Sequence, residues 1–264
     1  MADFSAADVQ RLRQSTGAGM MDAKKALVEK RGDFEEAQKW LREKGLASSA
    51  KRAANDNSEG CVAIAVQDDV AAIVELKCET DFAAKSPDFV NFANDLAATA
   101  VAKGADAVTG NPEAVDDLKV TLKENIELGR VARFAAGDNS VIDSYLHMQA
   151  DTGKNGVLVE IKNGPREVAH DIAVHIAFTR PKYLSRDEVP ADEVEAERAT
   201  IGLIARNEGK PEAQLDKIIE GRLNGYFKER VLLEQGFVKD DKKTIKQLLG
   251  DAELLRFAQI EIGR

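Results

Sequence analysis

Three histidines, two cysteines and 46 aspartates and glutamates are what this 264-residue sequence offers for covalent or metal chemistry. His170 and His175 lie five apart in a segment of helical period. That puts them on different faces, where ordinary surface or packing roles fit better than joint metal ligation. Cys61 and Cys78 have no metal-ligand spacing and make no disulfide framework, which points to a reducing compartment. No Ser/His/Asp or Cys/His arrangement is evident, and acids this abundant nominate no catalytic pair by type alone. Neither a Walker-type phosphate loop nor a GxGxxG fingerprint is present, so the chain itself is not expected to hold a nucleotide. The expectation is a protein with no cofactor and no resident metal, and not an enzyme.

Two other stretches stand out. One runs Leu12-Arg13, then Thr16-Gly17-Ala18-Gly19-Met20-Met21-Asp22, then Lys24-Lys25-Ala26-Leu27. If one of two adjacent methionines packs inward, the other faces out, and a flexible, polarisable thioether suits a partner's apolar surface. Periodicity alone slightly favours both filling the small local core. The other stretch is Thr80-Asp81-Phe82-Ala83-Ala84-Lys85, between a strand ending at Lys77 and a helix starting near Pro87. A Phe on such a connection is more often tucked under the loop than displayed, and Asp81 could simply cap a short turn.

Three short N-terminal helices precede these connections. Ser5 and Asp8 make a capping-box pattern, Val9, Leu12 and Thr16 share a face, and Gly17 and Gly19 stop the first helix. Met20, Ala23 and Leu27 follow at helical spacing, ending near Gly32. Asp33 and Glu36 signal the third start, Ala37, Trp40 and Leu41 its apolar face, and Gly45 its stop. Residues 1–46 thus form a three-helix unit, marginal alone and suited to docking on a larger body, and 47–59 form a polar linker. Cys61–Val66 and Val70–Lys77 read as a hairpin. Helices are expected over 88–102, with Phe89, Phe92, Leu96 and Val101 as anchors, and from about Pro112 to Leu128, ending at Gly129. Val131–Ala136 and Val141–Met148 are strand candidates. Ile73-Val74-Glu75-Leu76-Lys77 is echoed by Leu158-Val159-Glu160-Ile161-Lys162, each leading into an amphipathic helix, the second over 166–178. Chance likeness of two valine-rich strands competes with a reading as two related α+β halves, 60–140 and 141–264. Residues 190–234 form a helical hairpin broken at Gly209-Lys210-Pro211, with Leu203 and Ile204 facing Leu215, Ile218, Ile219 and Leu223. Glu253–Ile262 returns to a strand.

The formal net charge of −9 argues against charge-driven nucleic-acid binding, which needs concentrated Lys and Arg. It is compatible with a protein partner, and equally with acidity that serves solubility. No apolar run reaches the ~20 residues of a membrane span and no secretory signal opens the chain, so the expected location is the cytoplasm.

The Thr16–Leu27 block (TGAGMMDAKKAL) and the Thr80–Lys85 block (TDFAAK) resemble the signature motifs of the elongation factor Ts family, in order and separation. Asn125–Phe134 (NIELGRVARF), Gly156–Ile161 and Glu220-Gly221-Arg222 extend the resemblance over nearly the whole chain. Ala23 stands where many members have cysteine and Ala83 where valine is common. The sequence stops at Arg264, where some longer members continue into a helical tail that touches the partner.

The resemblance implies an α+β fold: an N-terminal three-helix domain of ubiquitin-associated type, a two-part core with small antiparallel sheets, and an inserted helical hairpin. It implies elongation factor Tu as partner, without direct nucleic-acid or membrane contact, and leaves open a homodimer or a heterotetramer with that partner. It assigns Phe82 as a wedge between helices of the partner's GTPase domain, beside Asp81 and shaped by Thr80 and Ala83, which dislodges Mg²⁺ and loosens the phosphate site. Arg13, Met20, Met21 and Lys24 would dock the N-terminal domain on the GTPase domain, and His147 would touch another domain. Two rivals stand beside it. A ubiquitin-associated adaptor leaves the Thr80–Lys85 block unexplained. A small-molecule enzyme requires a pocket with convergent polar groups and perturbed acids.

Overall fold

The computed structural model describes residues 4–110 and 112–263. Three helices come first: α1 (Ala6–Thr16), α2 (Met20–Glu29) and α3 (Phe34–Arg52). The capping box forms at Ser5 and Asp8, and Gly17 ends α1 in the left-handed conformation. Val9, Leu12, Ala23, Ala26, Leu27, Ala37 and Leu41 make a small aliphatic core between these helices.

The body begins with strands β1 (Glu59–Gln67) and β2 (Val70–Cys78). Helices α4 (Asp81–Ala84), α5 (Pro87–Lys103), α6 (Asp106–Thr109) and α7 (Pro112–Leu122) follow, and then β3 (Glu127–Ala135). The second half has β4 (Ser140–Gln149), β5 (Thr152–Lys162) and α8 (Arg166–Thr179). A hairpin of α9 (Ala191–Asn207) and α10 (Leu215–Arg230) projects next. The short β6 (Gly236–Phe237), β7 (Asp240–Thr244) and α11 (Ile245–Leu249) lead to β8 (Glu253–Glu261).

Two antiparallel three-stranded sheets result, ordered β1-β2-β3 and β4-β5-β8. In each, the strand carrying the repeated Val-Glu run is central and is followed in the chain by the helices that cover its sheet. A strand buried on both faces needs a nearly unbroken apolar run, which Val70–Cys78 and Gly156–Ile161 provide. On β2, Ala72, Val74, Leu76 and Cys78 face α5, while Ala71 and Ile73 face the other sheet. On β5, Val157, Val159 and Ile161 face α8, while Leu158 faces back. The order is therefore helices, sheet, sheet, helices, with Val62, Ile73, Phe134, Ile142, Leu158 and Ile260 in the middle layer.

Glu75 and Glu160, the polar positions of the repeated runs, lie on the inter-sheet side and are buried. Arg130 of β3 forks onto Glu75 (2.9 and 2.7 Å) and also donates to the Glu261 carbonyl at the end of β8. Arg256 of β8 donates to Glu160 (2.6 Å) and to the Ala135 carbonyl at the end of β3. Each arginine thus ties its own sheet to the rim of the other. Burial alone pushes the Glu75 carboxyl up, but the side-chain and backbone hydrogen bonds from Arg130 outweigh it and hold it below the ordinary value. Glu160 is likewise held low against burial by Ser140, Arg256 and the Gly137 N–H.

Several elements differ from the sequence reading. Gly45 does not stop α3, which continues into the first part of the expected linker as far as Arg52. A Cβ at Gly45 would lie 2.5 Å from Val120 Cγ1, so this glycine serves the close crossing of α3 over α7 rather than a cap. The helix expected to reach Leu128 ends at Leu122, where Lys123 turns left-handed. Gly129 lies within β3, because a Cβ there would run into the Glu75 carboxylate. In the hairpin, Ile201 and Ala205 fill the seam with Leu215, Ile219 and Leu223, while Leu203, 60% exposed, and Ile204 face solvent. The helical phase is shifted from the one read.

Removing one partner of a buried ion pair strands the other. Arg130→Met and Arg256→Met are each expected to lower unfolding free energy by about 1–3 kcal/mol at neutral pH. The wild-type contribution is present above the ordinary glutamate value of 4.5 and is lost as pH falls through the lower folded value. The deficit of either variant should therefore shrink toward acid, as urea unfolding measured across that range will show. A pH-independent deficit would contradict this account.

Candidate functional site

The Thr80–Lys85 connection folds as a single helical turn. Thr80 is the N-cap, its hydroxyl accepting from the Ala83 N–H at 3.2 Å. Ala83 and Ala84 are buried in the core beneath α5. With those two facing inward, Phe82 faces outward and is 83% exposed. The reading of a tucked phenylalanine is thus corrected: the alanines already fill the space under the loop. Asp81 pairs with Lys85 one turn on, at 2.6 Å. Chiefly through that hydrogen bond, with help from the Lys154 charge, its carboxyl is held below the usual range and stays ionised beside Phe82.

On α2, Met20 and Met21 are both exposed, Met21 to 73%. Periodicity had slightly favoured both inside; Ala23, Ala26 and Leu27 suffice for that core. Lys24 is also exposed, as is Arg13 on α1. Met20, Lys24 and Val28 recur at four-residue intervals on one face of α2, and Val28 is exposed as well.

His147, near the end of β4, is exposed, with the Tyr145 hydroxyl 3.5 Å from its Nδ1. It lines an open groove of about 550 Å³ with Tyr145, Lys154, Val174, Phe178 and Arg180. Phe178, 73% exposed, escaped the sequence reading. Its signal was there: α8 buries Ala169, Ile172, Ala173, Ile176 and Ala177, and Phe178 falls off that stripe. Lys154 bridges Glu59 and the Gly60 carbonyl from this groove, and its charge also helps lower the Asp81 carboxyl.

The remaining reactive groups are committed to structure. Burial pushes the Cys61 and Cys78 thiols up to about 12. His175, lowered by burial, sits between the Gln235 amide oxygen and the Val238 N–H. Glu193 is held at about 2 by the Tyr183 and Tyr226 hydroxyls at the root of the hairpin. Among the described residues no group of three or more His, Cys, Asp or Glu is placed to hold a metal, and no helix is long and apolar enough to cross a membrane.

Phe82, Met20, Met21 and Phe178 thus stand as exposed large apolar side chains on an α+β frame. A family model described as elongation factor TS matches residues 79–264. Proteins named elongation factor Ts from Clavibacter michiganensis subsp. michiganensis and Acidothermus cellulolyticus are each 46% identical to this chain, and one from Mycobacterium marinum is 45% identical. The alignments cover all of this chain and all of each relative. The chain belongs to the elongation factor Ts family, a family of translation elongation factors that act in nucleotide exchange.

An exposed ring contributes little to folding, so Phe82→Ala is expected to shift unfolding free energy by less than about 0.5 kcal/mol. Ala84→Leu, which overfills the site beneath the turn, should cost about 1–3 kcal/mol. Urea midpoints will separate the two, and a Phe82→Ala loss as large as that of Ala84→Leu would mean the ring is packed rather than displayed.

Proposed function

We propose that this protein binds elongation factor Tu in its GDP form in the cytoplasm and promotes GDP release by dislodging Mg²⁺ and loosening the phosphate site, so that GTP can rebind. The observation that carries the reading is Phe82, held out by a turn whose other side is locked into the core. Translational GTPases hold GDP through a phosphate loop and Mg²⁺, which offset the phosphate charge. An exchange factor must bind the nucleotide-free form better than the GDP form, and by reciprocity GDP weakens the factor. An acceleration of ~10⁴-fold corresponds to about 5.5 kcal/mol of barrier, more than one buried ring supplies, so docking must position the wedge.

In this reading Phe82 enters between helices of the partner's GTPase domain, with Asp81 beside it and Thr80 and Ala83 setting the turn. Arg13, Met20, Met21 and Lys24 dock the N-terminal helices on the same domain, and His147 meets a different one. The factor changes no covalent bond.

Elongation factor Tu loaded with fluorescent GDP provides the test. Wild type should accelerate release, and Phe82→Ala should lose roughly 10-fold or more of that effect. Met21→Ala is expected to raise the concentration of factor needed for half-maximal exchange and leave the plateau rate largely intact. A wild-type protein that is folded but leaves GDP release unchanged would overturn the reading.

A further inference from the structure

The Asn125–Phe134 motif has no part in the exchange reading, yet its first residues reach the Phe82 turn. After α7 ends, the left-handed Lys123 swings the chain back and sets Glu124 against the segment that leaves β2. One Glu124 carboxylate oxygen accepts the backbone N–H groups of both Glu79 and Thr80, at 3.2 Å each. The other accepts the Thr80 hydroxyl, the same hydroxyl that caps the Ala83 N–H. Next to it, the buried Asn125 donates its own N–H to Glu79 and its side-chain amide to the Asn55 carbonyl at 2.9 Å. Asn55 in turn donates to Glu79 at 2.8 Å. From below, the Cys78 thiol donates to the Thr80 carbonyl.

We propose that Glu124, backed by Asn125, is a positioning residue for nucleotide exchange, fixing the pose of the Thr80–Ala83 turn from which Phe82 projects. Two successive N–H groups and a hydroxyl converging on one carboxylate define the turn's orientation as no single hydrogen bond could. The site is half open to water, so solvent can satisfy those donors when the carboxylate is removed. The fold then survives while the orientation is no longer held. The same clamp joins the turn to α7, which packs on α3 at Gly45 and pairs Asp117 with Arg42 at 3.1 Å. The Phe82 turn and the N-terminal helices are therefore joined through one continuous set of contacts.

The inference rests on the exchange reading, and the experiment separates the two. GDP release from elongation factor Tu is measured against concentration of the full-length factor for wild type, Glu124→Ala, Glu124→Gln, Phe82→Ala and the double variant Glu124→Ala/Phe82→Ala. Circular dichroism and urea unfolding confirm the fold of each. Glu124→Ala is expected to lower the plateau rate about 10-fold or more with less than about 3-fold change in half-saturation. Glu124→Gln, which keeps an acceptor for the paired N–H groups, should fall between. The double variant should be no slower than Phe82→Ala alone, because a clamp acts only through the ring it positions. A wild-type plateau in Glu124→Ala, a change confined to half-saturation, or additive losses in the double variant would each overturn the clamp. If Glu124→Ala does not fold, Glu124→Gln and Thr80→Val decide by the same criteria. Wild-type exchange in Phe82→Ala would instead overturn the wedge, and the clamp with it.

Discussion

The two arginines that pair with Glu75 and Glu160 within their own sheets and cross to a carbonyl of the other sheet, Arg130 and Arg256, govern how the two sheets meet. The middle layer is aliphatic apart from Phe134, and dispersion between such side chains has little directional preference. Two flat apolar faces could slide or rotate at modest cost. The arginines remove that freedom. Each must satisfy a buried carboxylate on its own sheet and a backbone carbonyl at the end of the opposite sheet's outer strand. Arg256 also lies 4.2 Å above the Phe134 ring, which couples the charge to the apolar layer. Whether such buried pairs add net stability is secondary to this: they specify one arrangement, and the exposed features of both halves inherit their separation from it.

Much of this architecture was legible in the sequence. Val70–Lys77 read as one arm of a hairpin and Leu158–Lys162 as a valine-rich strand echoing it, with two related halves weighed against chance likeness. Asp33 and Ser5 marked helix starts through side-chain caps that do form. The failures have a common cause. Gly45 and Gly129 were read as local stops, whereas each is demanded by something distant in sequence: the Val120 side chain in one case, the Glu75 carboxylate in the other. A glycine's φ preference is a local signal; the space its missing side chain leaves is a tertiary one.

The exposed apolar residues show the converse. Met21, Leu203 and Phe178 are out of phase with the buried stripes of their own helices, and placing Met21 in the core or Leu203 in the seam required ignoring that phase. Alanine-rich interiors explain the pattern: Ala23 and Ala26 under α2, Ala83 and Ala84 under the Thr80 turn, Ala173 and Ala177 under α8. Small residues bring backbone close to backbone and leave no room for a neighbouring large side chain to fold in. A large apolar residue beside such an alanine stripe is thereby committed to the surface.

Nothing in the sequence pairs Glu124 with Thr80, because their 44-residue separation is closed only after α5, α6 and α7 have packed. The same holds for His147 and Phe178, which come from a strand end and a helix end and share a groove only once α8 lies on its sheet. Elements that a partner would touch are thus positioned by contacts remote from them in the chain, while the residues that touch are conspicuous locally. This division has a mechanical consequence. Conserving Phe82 by itself would preserve a ring of the right size; the direction in which it points depends on the carboxylate behind it, and that carboxylate is held by a helix whose own place is set by the missing Cβ of Gly45.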